Sequence, residues 1–214
     1  MLTILNYLSA FSGLLPLAVA ALRYRRYDAA LRLLTWFFVV SGLFDLASVI
    51  TDRWRINNMP LFHLFAVVNL LFLSAFYYRI LRGQWRRPGL ALAIAGIGGL
   101  ALYGVLRPGG LGQFPSAVMT AQCGLFIGLA LVYFYQLLHQ PVATAIEQNP
   151  LFWVNAGVLV YFSGNLFLFM LQEWLSRNPP VQHVNYWAIH SVANILANLL
   201  YTVGLLCTPP QRPT

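Results

Sequence analysis

Seven apolar segments, each long enough to cross a membrane as a helix, follow one another along the chain with short polar stretches between them. A helix needs about 20 mostly apolar residues to span a bilayer. The pattern therefore predicts an all-α polytopic membrane protein that forms a single domain of seven transmembrane helices, with no soluble domain. The predicted spans are 3–22, 31–51, 60–80, 89–106, 114–138, 150–172 and 184–206.

Helix-boundary residues support these limits. Pro60, Pro115 and Pro150 fall at predicted helix starts, where the missing N–H of proline is tolerated. Asn149, directly before Pro150, is a good N-cap residue. Pro16 lies inside the first span and is expected to interrupt that helix.

Charge is scarce and unevenly distributed. Only 8% of the residues are charged, against roughly 25% in soluble domains. The chain has 13 arginines and no lysine, and nine of the arginines fall on one side of the predicted spans. By the positive-inside rule, this side, with the C-terminus, is cytoplasmic and the N-terminus is outside. The expected location is the inner (cytoplasmic) membrane of a bacterium, with the lipid bilayer as the surrounding partner.

Several functions are excluded by composition. A retinal Schiff base needs a lysine, so a retinal-linked protein is excluded, and no other cofactor is expected. The basic charge lies in short loops beside apolar spans, where it sets orientation and meets lipid headgroups, so no nucleic-acid partner is expected.

The candidate site consists of polar residues inside the apolar spans, where burying such groups is unfavourable unless they have a role. The candidate ligand-binding residues are Asp45, His63, Tyr161, Asn165, His190, Asn194 and Asn198. Four of them come from different spans yet fall in the outer half of the predicted membrane. This common depth predicts a polar pocket that opens outward.

The last span carries the most regular polar pattern. His190, Asn194 and Asn198 recur at every fourth residue and so lie on one helical face. Such a row either lines a cavity or joins two helices by hydrogen bonds. In the third span, Tyr77 and Tyr78 are expected at the inner membrane interface.

Spans one to three resemble spans five to seven in the order of several short segments. A 3+1+3 arrangement with parallel repeats is one organisation found in transporters. Chance matching among apolar helices is the alternative explanation. The matched segments are 9–14 with 120–125, 41–42 with 163–164, and 69–72 with 198–201.

Small residues indicate close helix contacts. Gly124 and Gly128 form a GxxxG motif in the fifth span, and Ala91, Ala95 and Gly99 form a small-residue stripe in the fourth. Packing within the chain is the simpler interpretation of both. A homodimer through the fourth span is the alternative.

Two stretches carry a resemblance to a known class of proteins. They are Asn149-Pro150-Leu151-Phe152-Trp153-Val154-Asn155-Ala156-Gly157, continuing to Tyr161-Phe162-Ser163-Gly164-Asn165, and Trp187-Ala188-Ile189-His190-Ser191 followed by Asn194. They resemble small bacterial seven-helix membrane proteins similar to the sensor modules of two-component systems. The resemblance implies ligand sensing with transfer of the signal to a cytoplasmic partner. Only eight residues follow the last span, so the partner is expected to be a separate protein.

Three functions remain open, beside the alternative of a purely structural subunit of a larger membrane complex. The first is a sensor or receptor-like protein with a small-molecule ligand, whose long cytoplasmic loop around 139–149 contacts the partner. The second is a small-solute transporter. The third is an intramembrane lipid hydrolase in which Asp45, His63 and His190 hold a metal, which requires the three side chains to meet. The first two involve no catalytic residue, and an enzyme is not the favoured interpretation.

Overall fold

A computed structural model describes residues 2–84, 86–139, 146–177 and 187–207. Throughout this part of the chain the regular structure is helical. The helices are α1 (Leu2–Ser12), α2 (Leu14–Arg23), α3 (Ala29–Arg53), α4 (Met59–Ile80), α5 (Arg86–Leu106), α6 (Ser116–Leu138), α7 (Pro150–Arg177) and α8 (Trp187–Leu206).

Seven helical segments are long and apolar enough to cross a membrane, which confirms the predicted multi-pass architecture. The predicted spans agree with the helices to within a few residues, apart from α7, which continues to Arg177. The start of the last predicted span, 184–186, lies outside the described residues. Asn149 caps α7 as predicted, because its Oδ1 accepts a 3.0 Å hydrogen bond from the Leu151 N–H.

The first span consists of two helices rather than one. α1 ends at Ser12, four residues before Pro16, and α2 begins at Leu14, two residues before it. Proline has no N–H to donate to the carbonyl four residues earlier, here that of Ser12, so the interruption follows from the sequence.

The spans close into a ring in which neighbours along the chain are neighbours in space. α8 packs against α7 on one side and against α1 and α2 on the other, so the first and last spans meet. α4 also reaches across the ring to α6. Following the predicted orientation, we call the end with residues 54–58 and 107–115 the outer end, and the opposite one the arginine-rich end.

Glycines allow α7 and α8 to approach closely. A Cβ atom at Gly157 would lie 2.5 Å from the Tyr201 ring, and one at Gly204 would lie 2.7 Å from the Pro150 carbonyl oxygen. The GxxxG motif differs: Gly124 and Gly128 are exposed, and a Cβ at either would meet nothing within 4 Å. The interpretation of this motif as packing within the chain is therefore wrong.

α3 is packed differently in its two halves. Near the arginine-rich end, Leu31 and Leu34 are buried in the core. Toward the outer end, Leu43, Leu46 and Val49 are at least half exposed. The outer half of α3 thus contributes little to the core, and its polar residues lie at the edge of the bundle.

Candidate functional site

The centre of the candidate site is a hydrogen-bonded group on α7 and α8. Nδ1 of His190 lies 2.9 Å from Oδ1 of Asn165, and Nδ2 of Asn165 donates a 2.7 Å bond to the Tyr161 carbonyl. The close approach of α7 and α8 at Gly164, beside Ala193, brings the two helices within reach of this bond. We call Tyr161, Asn165, His190 and the nearby Asp45 the outer polar cluster.

The bond between His190 and Asn165 fixes the tautomer of the imidazole. An amide oxygen only accepts, so Nδ1 of His190 must carry the proton. In the neutral ring Nε2 is then an acceptor. Among the described residues, Nε2 has no hydrogen-bond donor, and the His190 side chain is only partly buried. The ring is therefore held in place at one nitrogen and open to a donor at the other.

Aromatic rings surround this imidazole. The ring centroids of Trp187, Tyr161 and Phe169 lie 5.7, 5.8 and 6.3 Å from that of His190. The first two rings meet the imidazole edge to face. The walls around His190 are thus largely apolar, with polar atoms confined to the hydrogen-bonded group itself.

Asp45 lies across from this group on α3. Its side chain is exposed, and its charge lies within electrostatic range of the Tyr161 hydroxyl. Within the described part of the chain, its carboxylate has neither a hydrogen bond nor an ion pair. An unpaired carboxylate at membrane depth is rare and usually functional.

Asn194 and Asn198 join α8 to α1. Asn194 Nδ2 donates to the carbonyl and hydroxyl oxygens of Ser9 at 3.2 and 3.0 Å, and Asn198 Nδ2 donates to Ser12 Oγ at 2.8 Å. Ser12 Oγ in turn donates to the Ser9 carbonyl. Of the two alternatives for the polar row of the last span, these bonds favour contact between helices for the two asparagines.

His63 is separate from the outer polar cluster and organises the outer loop. Its Nε2 lies 3.2 Å from the Gly110 carbonyl oxygen and 3.0 Å from that of Gln113. A cavity of about 90 Å³ lies beside it, lined also by Arg107 and Ser116. This volume has room for about three water molecules but not for an organic ligand of ordinary size.

The metal-site hypothesis required Asp45, His63 and His190 to meet. Over the described ranges, no three His, Cys, Asp or Glu side chains are close enough together to hold a metal ion. The His63 ring is bound to the outer loop instead. The arrangement needed for a metal-dependent hydrolase is therefore not formed by these residues.

Two buried polar groups lie outside the predicted set. Asn69 Nδ2 donates to Gln122 Oε1 at 3.1 Å, and Gln122 Nε2 donates to the Ala66 carbonyl at 2.7 Å, so the amides join α4 to α6. The sequence does indicate that each amide is unusual, because each lies inside an apolar span. Only the structure shows that the two amides are partners.

The second group contradicts the expected place of Tyr77. This side chain is fully buried rather than interfacial, and its hydroxyl donates a 2.6 Å bond to Asn155 Oδ1. Asn155 Nδ2 donates to the Ala130 carbonyl, so one amide joins three helices. Tyr78, by contrast, is 38% exposed. Adjacent helical residues point about 100° apart, which explains the difference.

The other described cavity, of about 390 Å³, lies at the arginine-rich end between the start of α3 and the end of α4. Neither of these two cavities is lined by the outer polar cluster. The predicted outward pocket therefore stays a prediction, which rests on the outer polar cluster and not on either of these two cavities. No family model, curated protein or solved structure matches this chain.

Proposed function

We propose that this seven-helix membrane protein is receptor-like and binds a small ligand at the outer polar cluster. The observation that carries the proposal is the exposed carboxylate of Asp45, which has no partner among the described residues and lies within electrostatic range of Tyr161. A carboxylate in contact with hydrocarbon is strongly disfavoured, so Asp45 requires water or a polar partner at its depth. A ligand with a hydrogen-bond donor or a positive charge satisfies that requirement.

The chemistry of the cluster indicates the form of the ligand. Asp45 accepts hydrogen bonds and attracts positive charge, and Nε2 of His190 accepts a second bond. The aromatic rings around His190 favour an apolar or cationic body between the two acceptors. We therefore expect a small amine with an apolar part.

Signal transfer is the second half of the proposal. α7 and α8, which carry three of the four cluster residues, extend toward the arginine-rich end in close contact at Gly157 and Gly204. A ligand that moves one of these helices must displace the other, because the two are closely packed and leave no space between them. We propose that the protein lies in a bacterial inner membrane and passes the signal to a cytoplasmic partner, as the resemblance to sensor modules implies. Residues 140–145 of the suggested contact loop lie outside the described residues.

The test is a thermal-shift screen of detergent-purified protein with small amines, each paired with its uncharged isostere. We expect at least one amine to raise the melting temperature while its isostere does not, and Asp45→Asn to remove the effect. Asp52→Asn is the matched control, because Asp52 is an exposed carboxylate two turns further along α3. Equal shifts with Asp45→Asn and the wild type would overturn the role of Asp45.

A small-solute transporter is the second candidate, and one relationship favours it. Asn69 of the third span donates to the fifth span, and Asn198 of the seventh span donates to the first. If spans one to three and five to seven are repeats, the two asparagines are equivalent and the two bonds join equivalent pairs of spans, although their acceptors lie one position apart. The interrupted helix at Gly13 adjoins the second bond, and discontinuous helices are typical of transporter sites.

A receptor and a transporter differ in whether the protein moves the amine across a membrane. Proteoliposomes preloaded with the amine that gives the largest thermal shift are expected to retain it if the protein is a receptor. Release that disappears in both Asn69→Leu and Asn198→Leu would favour the transporter. The exposed Leu64→Ala substitution is a control for nonspecific leakage, since it changes neither bond.

A further inference from the structure

The cleft at the arginine-rich end is lined by side chains of opposite charge. We call this cleft, formed by Asp28, Ala29, Ala30, Tyr78 and Arg79, the end cleft. It has a volume of about 390 Å³ and lies where α3 begins and α4 ends. Both charged side chains are exposed, and the cleft lies at the ends of two helices that are long and apolar enough to cross a membrane.

The two charges are not paired with each other. In the part of the chain that the structure describes, Asp28 and Arg79 form no ion pair with any residue. One oxygen of Asp28 accepts the Leu31 N–H at 2.8 Å as the N-cap of α3. An ionised carboxylate accepts up to about four hydrogen bonds, so capping leaves Asp28 able to bind a donor.

A second guanidinium stands next to the end cleft. Arg87 Nε donates a 2.9 Å bond to the Tyr78 hydroxyl, and its guanidinium carbon lies 5.9 Å from the centre of the Tyr78 ring. The α4 side of the end cleft thus carries Arg79 and, through Tyr78, Arg87, while the α3 side carries the carboxylate of Asp28. A ligand that fits must present a negative group to Arg79 and a positive group to Asp28.

We propose that the end cleft binds the headgroup of a phospholipid that carries a phosphate and a primary ammonium group. Arg79 binds the phosphate, since guanidinium and phosphate form short charge-assisted hydrogen bonds. Asp28 accepts from the ammonium group. A glycerol headgroup offers no positive charge to Asp28, and a choline headgroup offers no N–H donor. The end cleft therefore distinguishes an aminophospholipid from both.

The experiment uses delipidated full-length protein in detergent and native mass spectrometry. The probes are phosphatidylethanolamine, phosphatidylglycerol and phosphatidylcholine with identical short acyl chains. We expect the ethanolamine lipid to bind about fivefold more tightly than the other two. Arg79→Gln should weaken that binding by about tenfold, while Arg53→Gln, which removes an exposed arginine from the outer end of α3, should not.

Asp28→Asn is the discriminating variant, because asparagine caps a helix as well as aspartate and removes only the charge. It should abolish the preference for ethanolamine over glycerol, whereas Asp52→Asn should preserve it. Equal binding of the ethanolamine and glycerol lipids by the wild type would overturn the proposal. Free phosphoethanolamine that binds as tightly as the lipid would overturn the assignment to a membrane component.

Discussion

The hydroxyl of Tyr77 lies 2.6 Å from Oδ1 of Asn155, and both side chains are completely enclosed between α4, α6 and α7. Because Asn155 also donates to the Ala130 carbonyl, its amide is satisfied on both sides. This arrangement makes the bond the clearest case in the protein of a polar contact that fixes helix positions, and a good place to measure its contribution to stability.

Removing both partners of this bond should destabilise the fold by less than the sum of the two single losses. We expect Tyr77→Phe and Asn155→Ala each to lower the free energy of unfolding by about 1–3 kcal/mol, because each leaves a buried polar atom unpaired. In the double variant we expect the losses to overlap by roughly 1 kcal/mol. Unfolding in mixed detergent micelles, followed by tryptophan fluorescence, measures all four proteins. Strict additivity would show that the bond contributes nothing.

The contact between α7 and α8 should not tolerate a methyl group at Gly157. An added Cβ would lie 2.5 Å from Tyr201 and 3.1 Å from the Ala197 carbonyl oxygen, so the helices must move apart. We expect Gly157→Ala to lower the free energy of unfolding by about 1–3 kcal/mol. Gly124→Ala is the matched control, since nothing lies within 4 Å of its added methyl, and it should be neutral or slightly stabilising. A similar loss in both variants would contradict the packing described here.

The role of His63 is to hold the outer loop, so its removal should act locally. In His63→Ala, amide hydrogen exchange in the Gly110–Gln113 segment should accelerate by about tenfold, because the Gly110 and Gln113 carbonyls lose the imidazole that they share. His139→Ala serves for comparison, as that exposed ring bonds only to the Tyr135 carbonyl of its own helix. Unchanged exchange in His63→Ala would mean that the turn is held by its backbone alone.

The buried hydroxyl of Tyr27 should make the free energy of unfolding fall at alkaline pH. Burial raises the pKa of its hydroxyl above 10.0, and the positive charge of Arg23 only partly opposes this rise. The folded protein therefore holds this proton more tightly than the unfolded chain does. The corresponding stability is fully present below pH of about 10 and is lost as the pH rises further.

The comparison that isolates this group is Tyr27→Phe. Above pH of about 10, the free energy of unfolding should fall more steeply with pH in the wild type than in the variant. Below that pH the two curves should run parallel, with the variant lower because the hydroxyl lies 3.3–3.4 Å from the Val19 and Leu205 carbonyl oxygens. Curves that stay parallel to pH 12 would exclude Tyr27 as the titrating group.

The architecture could be predicted from the sequence because a membrane helix is specified locally. Each span is a continuous apolar run, and Asn149 with Pro150 marks a helix start without reference to the rest of the chain. The position of a residue along its span was also predictable, since it follows from counting residues along a helix. The common depth of Asp45 and His190 in the membrane stays a prediction.

Partners could not be predicted, because they depend on how helices rotate against each other. Depth placed His63 with Asp45, yet the His63 ring turns to the outer loop and its carbonyls. The spacing of Asn194 and Asn198 showed a shared face but not that α1 covers it. For the same reason, the bond between Asn69 and Gln122 could not be predicted from the sequence, since the two residues lie on α4 and α6 and a whole helix separates these spans along the chain.

The contact between α1 and α8 determines when this protein can be completed during synthesis. Asn194 and its partner Ser9 are 185 residues apart, so the ribosome must add nearly the whole chain before the bond can form. At about 5–20 residues per second, Ser9 and Ser12 wait roughly 10–40 s in the membrane for the last helix. During that interval the first span has α3 as its neighbour from the finished ring, through the contacts that α3 makes with α2. The unfinished bundle therefore has an open side, and arrival of α8 closes it.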